Sequence, residues 1–201
     1  MKEEARDIHI GKIVSSSSHI HYICQIYGPS EAPHLPAPED YGFGTFVGIE
    51  HAKDKCLVGV VYDTTLRNPE FGNLGPRLSP QEELTIFSPD YLAEKVTLVA
   101  IVLLGVLDNQ GNPSQGIPTV APPIDALVRP LSRQEIMAFH QGSQGLQLSY
   151  LAILSQLNTP LATPLMIRII TQLQELFEGE RERLGVLRQS LSWKTYIEPL
   201  A

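Results

Sequence analysis

Sixteen prolines, twelve of them gathered in three clusters, constrain what this chain of 201 residues can fold into more than any other feature. Proline fixes φ and lacks an N–H donor, so it is kept out of central strands and helix interiors and marks connections. Pro29, Pro33, Pro36 and Pro38 set one loop. Pro69, Pro76, Pro80 and Pro89 punctuate a second region, and Pro113, Pro118, Pro122 and Pro123 a third. The intervals between them hold Ile8–Val14, Ile20–Ile26, Gly44–Glu50, Leu57–Tyr62 and Val96–Leu107, all rich in the β-branched and apolar residues of strands. TFVGIE and CLVGVVYD, joined by His51-Ala52-Lys53-Asp54-Lys55, have the length and polarity of a hairpin with a short charged turn. Gly48 and Gly59 interrupt its two strands and predict a bulge or the sharp bend of a small barrel wall.

Beyond Pro130 the pattern turns helical. In SRQE, Ser132 caps a first helix and Glu135 is its capping-box partner, with Leu131 and Ile136 as a hydrophobic staple. A second helix is predicted over Leu146–Leu157, with Leu146, Tyr150, Ile153, Leu154 and Leu157 on one face, stopped by Asn158-Thr159-Pro160. Thr163 and Pro164 then open a third, carrying Met166, Ile169, Ile170, Leu173, Leu176 and Phe177 and closing at Gly179. GERERLGVLRQSLSW reads as an exposed, charge-paired helix docked by Leu184, Leu187 and Leu191. At its start, the alternating charges of Glu178 to Arg183 make a solvated face or a partner surface. These patterns predict an α+β fold: an antiparallel β-barrel of six or so strands over residues 8–129, then a helical region over 132–201. The apolar stripes of the helices must be covered, either by the barrel or by a neighbouring subunit.

Charge narrows the function. With 22 acidic against 15 basic residues the chain is at −7, without the broad positive field that duplex nucleic acid demands, so direct DNA or RNA binding is not expected. The acidic excess lies before residue 130, with 16 acidic and 9 basic residues there and 6 of each after it. The opening MKEEARDIHIGK has no apolar run and predicts no signal peptide, hence a cytoplasmic protein with Cys24 and Cys56 reduced. Those cysteines sit in apolar stretches without CxxC spacing and read as small buried hydrophobes. The apolar run Val96–Leu107 is well short of the roughly 20 residues that cross a bilayer and reads as a buried strand.

Several residue sets invite chemistry. His19 and His21 form an HxH pair whose imidazoles, on one strand, point to the same side and suit one metal ion, yet a third ligand is missing. The remaining histidines, His9, His34, His51 and His140, have no ligand spacing. Gly42 and Gly44 in YGFGTFVG are followed by a strand, whereas a phosphate loop leads into a helix, so they predict a tight turn after the proline-rich loop. Glu39 and Asp40 are adjacent in that loop and project apart, unlike an acid–base pair. No nucleophile elbow, HExxH or Walker motif occurs. No catalytic residue, cofactor site or metal site is therefore assigned.

Taken together, IGKIVSSSSHIHYIC, DYGFGTFVGIE, CLVGVVYD and VAIVLLGVLDNQGNPSQGIPTVAPPIDALVRPLS resemble the HAS barrel, the HerA/ATP-synthase-type barrel that begins HerA-type ATPases. The shared features are an IGxV opening strand at Ile10–Val14, a G-x-[FY]-V-x-[IV]-E strand at Gly44–Glu50, and a hydrophobic-V-G-x-V strand at Leu57–Val61. An LG-x-[LI]-D exit at Leu104–Asp108 then leads to Pro122 and Pro123. The resemblance covers about the first 130 residues. It implies a barrel that helps hexameric rings assemble and offers a docking surface to partners, including a nuclease in the HerA case. The family's ATPase core does not follow. LAILSQLNTPLATPLMIRII has no lysine or glycine for a phosphate cradle, so ATP hydrolysis is not implied.

The expectation is a non-enzymatic interaction or oligomerisation module, a homo-oligomer with a protein partner such as an ATPase or DNA-processing factor, without cofactor, nucleic acid or membrane. Leu173, Leu176 and Phe177 are the expected association surface, unless the helices instead complete the barrel's core. The alternative is a divergent enzyme or a small-ligand or metal binder at the barrel mouth, near His19, His21 and the 29–42 loop.

Overall fold

The computed structural model describes residues 8–29, 31–52, 55–68, 96–142 and 145–196. The second proline cluster, Pro69 to Pro89, lies outside the described residues, as do Lys53 and Asp54 of the hairpin turn and residues 1–7 of the N-terminus. Six strands form the barrel wall: β1 (Gly11–Ser16), β2 (His21–Ile26), β3 (Phe46–Ala52), β4 (Lys55–Arg67), β5 (Val96–Asp108) and β7 (Leu127–Pro130). A short β6 (Pro113–Gln115) adds to β5 beyond the reach of β2. Around the barrel the order is β1, β7, β3, β4, β5, β2, all antiparallel, and β2 pairs with both β1 and β5 to close it. The fold is α+β, a closed antiparallel barrel followed by helices, as the sequence predicts.

Two cores account for the unbroken apolar run of β5. Val99, Ile101 and Leu103 point into the barrel, where they meet Ile10, Tyr22, Cys24, Val47, Ile49 and Val128. Their neighbours Val102 and Leu104 point out, joining Phe46, Val58 and Val60 in a second core beneath the helices. A strand buried on both faces loses the alternation of a half-exposed one. The hairpin of β3 and β4 forms as predicted. Gly59 marks a bulge, since the β4–β5 register shifts between Val58 and Gly59, and an added Cβ would lie 2.6 Å from Cγ2 of Ile101. Gly48 serves close packing instead. A Cβ there would lie 2.6 Å from Sγ of Cys56 and 2.9 Å from Cδ2 of Leu131.

Four helices follow: α1 (Arg133–His140), α2 (Leu151–Leu154), α3 (Ala162–Leu176) and α4 (Arg181–Tyr196). The capping box of α1 is formed as read. Glu135 N donates to Ser132 Oγ at 3.3 Å, and Ser132 N donates to the Glu135 carboxylate at 2.8 Å. The predicted helix over Leu146–Leu157 is mostly absent, and only the single turn of α2 is helical. Before it, β8 (Gln141–Gly142) and β9 (Gly145–Leu146) make a two-residue ladder, and Gln147 N donates to His140 O at 2.8 Å. Gly145, at φ 104°, takes the left-handed turn that lets the chain double back. Leu146, Tyr150, Ile153, Leu154 and Leu157 all still reach the helix-side core, so their spacing reflects a segment laid across that core rather than a helix face.

α3 begins two residues earlier than read, with Leu161 rather than Thr163 at its cap, and Pro164 stands in the first turn, where a missing N–H breaks no helical bond. It ends at Phe177, whose N donates to Leu173 O at 2.9 Å, and Gly179 falls in the following 3-10 turn, Glu178–Glu180, instead of capping the helix. The expected association surface is corrected here. Leu173 is buried and Leu176 and Phe177 pack against the same core as Phe46, Val58 and Val102, so this stripe is covered by the chain's own barrel.

Candidate functional site

The two histidines of the HxH pair do not act together. β2 starts at His21, which leaves His19 in the preceding connection, where strand alternation does not hold. The His19 Nε2–H donates to the Pro118 carbonyl at 2.8 Å and ties the β1–β2 connection to the third proline cluster. His21 Nδ1 lies 2.9 Å from Ser18 Oγ, its ring edges onto Tyr62 at 5.9 Å, and burial holds its pKa below the ordinary value. Among the described residues no group of three or more His, Cys, Asp or Glu is placed to hold a metal ion.

In the first proline loop, Pro38–Tyr41 forms a 3-10 turn whose Asp40 carboxylate accepts from Ala37 N at 2.8 Å. Asp40 is thus a capping group, while Glu39 is exposed. Gly44 makes the predicted tight turn, at φ 84°, its N–H donating to Val61 O at 2.8 Å. A side chain there would also collide with Cγ of Arg168, 2.6 Å away on α3. Gly44 thus lets α3 pack close to the start of β3.

A polar cleft of about 340 Å³ opens beside Cys56, Asp108, Arg129 and Glu135. Arg129 donates through both guanidinium nitrogens to Glu135, at 3.0 Å to Oε2, and bridges β7 to the start of α1. Burial opposes ionisation of Glu135, but bonds from Arg129 and Ser132 outweigh it and hold the carboxyl below its usual value. Asp108 is held low by the Asn112 side chain and backbone that it bonds in the β5–β6 turn. Burial pushes the Cys56 thiol up to about 11 and that of Cys24, inside the barrel, up to about 12. Neither is a thiolate nucleophile at neutral pH.

The most unusual polar pair lies in the helix-side core. His140, at the end of α1, and Tyr150, just before α2, are both fully buried. His140 Nδ1–H donates to Ile136 O at 2.7 Å, which leaves Nε2 as an acceptor for the Tyr150 hydroxyl, also at 2.7 Å. Rings of Phe46, Phe139 and Phe177 surround the imidazole at centroid distances of 5.2, 5.3 and 6.4 Å. Burial drives the His140 pKa down to about 4 and that of Tyr150 well above 10.0. The pair is neutral, buried and internally satisfied, which suits it to hold the β8–β9 excursion against the barrel rather than to exchange protons with a substrate. Sequence reading grouped His140 with histidines lacking any spacing and Tyr150 with a helix face. Ten residues spanning a chain reversal leave no period to detect.

Eight large apolar side chains among the described residues are exposed, the most exposed being Leu66 on β4. Ile117, Val120 and Ile124 stand out from the proline-rich connection between β6 and β7, Leu35 and Phe43 from the first proline loop, and Val186 and Trp193 from α4. No helix among the described residues is long and apolar enough to cross a membrane. Comparison with curated proteins finds no match. The family model described as "Domain of unknown function (DUF8166)" matches residues 1–198, nearly the whole chain, and the chain belongs to that family.

Proposed function

We propose that the chain is a non-enzymatic interaction and oligomerisation module, related to the barrel that begins HerA-type ATPases and lacking their motor. One observation carries this. The barrel is closed and its helices are folded back on it, so the buried polar groups serve structure while large apolar side chains are presented on loops and on α4. Exposed apolar side chains rimmed by polar ones mark protein contacts. The sequence resemblance adds ring assembly and partner docking, with an ATPase or DNA-processing factor as the protein partner, and the charged opening segment supports a cytoplasmic setting. The barrel-mouth ligand reading has less support, because His19 and His21 face different partners.

Light scattering from micromolar concentration upward tests self-association against the monomer mass of 22.2 kDa. A multiple of that mass is expected, and a monomer throughout overturns the oligomerisation arm. ATP turnover that tracks with the protein peak, or stoichiometric zinc lost on His19→Ala, overturns the non-enzymatic one.

A further inference from the structure

β4 outruns its neighbour on one side. β3 pairs with it from Lys55 to Val60, and the bond from Gly44 N to Val61 O extends that edge by one residue, whereas β5 pairs with it as far as Arg67. From Asp63 to Arg67 the strand is exposed, and Leu66 is 76% so. The ladder fixes which main-chain groups are unpaired there. Leu103 N donates to Ile20 O, so the odd residues of β5 up to Leu103 turn their N–H and C=O to β2, and Ala100, Leu98 and Val96 turn theirs to β4. The partners of those three, Asp63, Thr65 and Arg67, are thereby satisfied, and Thr64 and Leu66 face outward, where no strand lies among the described residues. In keeping with this, the Thr64 N–H donates at 2.8 Å to Oδ1 of Asp63 instead of to β5.

We propose that this edge pairs antiparallel with the same edge of a second copy, over Asp63–Arg67 and about a two-fold axis at Thr65. This rests on the oligomerisation reading and names its surface. The strand selects itself residue by residue. With Thr65 opposite Thr65, the outward-facing Thr64 of each copy meets the outward-facing Leu66 of the other, and all four main-chain bonds of the two pairs form. Sliding by two residues, to set Thr64 on Thr64 or Leu66 on Leu66, keeps only one such pair within the regular strand, because Tyr62 lies at the register shift and Arg67 ends the ladder. The same register sets Asp63 of each copy directly opposite Arg67 of the other, in non-hydrogen-bonded pairs with Cα atoms about 4.5 Å apart. Arg67 has no ion-pair partner among the described residues. The Thr64 N–H passes from its own Asp63 to the Leu66 carbonyl of the neighbour, and the carboxylate so released meets the guanidinium. A strand of a different protein would have to repeat this spacing of acid and base, which a second copy already carries. The contact is isologous and closes on itself.

The test uses full-length variants. Asp63→Arg sets base against base at both ends of the contact, and Arg67→Asp sets acid against acid. Both positions are exposed, and circular dichroism matching wild type checks the fold. By sedimentation, each variant alone has half the wild-type mass. Mixed in equal amounts they return to the wild-type mass, because one strand then brings two bases and the other two acids. A second measurement stands if either charge variant misfolds. Under mild oxidation Thr65→Cys, on the two-fold axis, forms an intermolecular disulfide about ten times faster than Thr64→Cys, whose two copies lie diagonally beyond bridging distance, with wild type as the background for Cys24 and Cys56. Charge variants that keep the wild-type mass, or Thr64→Cys cross-linking as fast as Thr65→Cys, overturn this contact and leave self-association standing. A mixture that stays at half the wild-type mass overturns the pairing of Asp63 with Arg67. A monomeric wild type overturns both this contact and the oligomerisation reading.

Discussion

Replacing Tyr150 by Phe removes one oxygen and keeps the ring. The ring packs at 6.0 Å and 24° on Phe139 and is fully buried, so its contacts and apolar burial survive the change. What is lost is the O–H that donates to His140 Nε2 at 2.7 Å. The nitrogen cannot switch to the donor tautomer, because the Nδ1–H is committed to the Ile136 carbonyl, and it is walled by Phe46, Phe139 and Phe177. A buried polar atom stripped of its partner costs about 1–3 kcal/mol, and the small void left by one oxygen adds little. Urea unfolding followed by circular dichroism at pH 8 should therefore show Tyr150→Phe less stable than wild type by about 2 kcal/mol, with an unchanged denaturant slope. A loss below about 0.5 kcal/mol would refute the reasoning, because it would mean that water reaches Nε2 or that the pair contributes nothing to the core.

Acid should act on the same pair. The folded-state pKa of His140, about 4, lies below its ordinary 6.5, so its contribution is fully present above pH 6.5 and is lost as pH falls toward 4. At about 1.4 kcal/mol per tenfold change in proton affinity that loss reaches about 3 kcal/mol, and His140→Gln should flatten the stability profile between pH 6.5 and 4 relative to wild type. Truncation before Ser132 should leave Phe46, Val58, Val60, Val102 and Leu104 uncovered, together worth about 10 kcal/mol at about 2 kcal/mol each, and give an aggregating protein without cooperative melting. A soluble, cooperatively melting β-rich monomer would show that the helices are dispensable. Both thiols should react slowly with disulfide reagents at pH 7 and rapidly after denaturation, and fast native labelling of Cys56 would contradict its high pKa.

The barrel was legible because proline and strand composition act locally. Five apolar intervals between proline clusters match five strands, and the SRQE box forms with both of its bonds. Legibility failed where tertiary burial imitated helical spacing, at Leu146 to Leu157, and where a capping residue competed with packing, at Thr163. The stripe of Leu173, Leu176 and Phe177 was visible, but its partner was not, since an apolar face does not say which chain covers it. Of the candidate site, the tight turn at Gly44 was readable, while the His140–Tyr150 bond was not.

The shortest wall strand has a consequence for how the molecule is made. β7 spans only Leu127–Pro130, yet it is the piece between β1 and β3, so every earlier wall strand is synthesised before the one that completes the circle. Until it emerges from the ribosome, β1 and β3 each present an open edge, the kind of surface that templates pairing with another nascent chain. Closure then arrives together with the helical cover, because Leu131 N donates to Phe46 O at 2.9 Å immediately before α1 begins. A chain ending before Leu127 is therefore a different hazard from one released after Pro130. The first is an open sheet with two adhesive borders, and the second is a closed ring with a bare apolar wall.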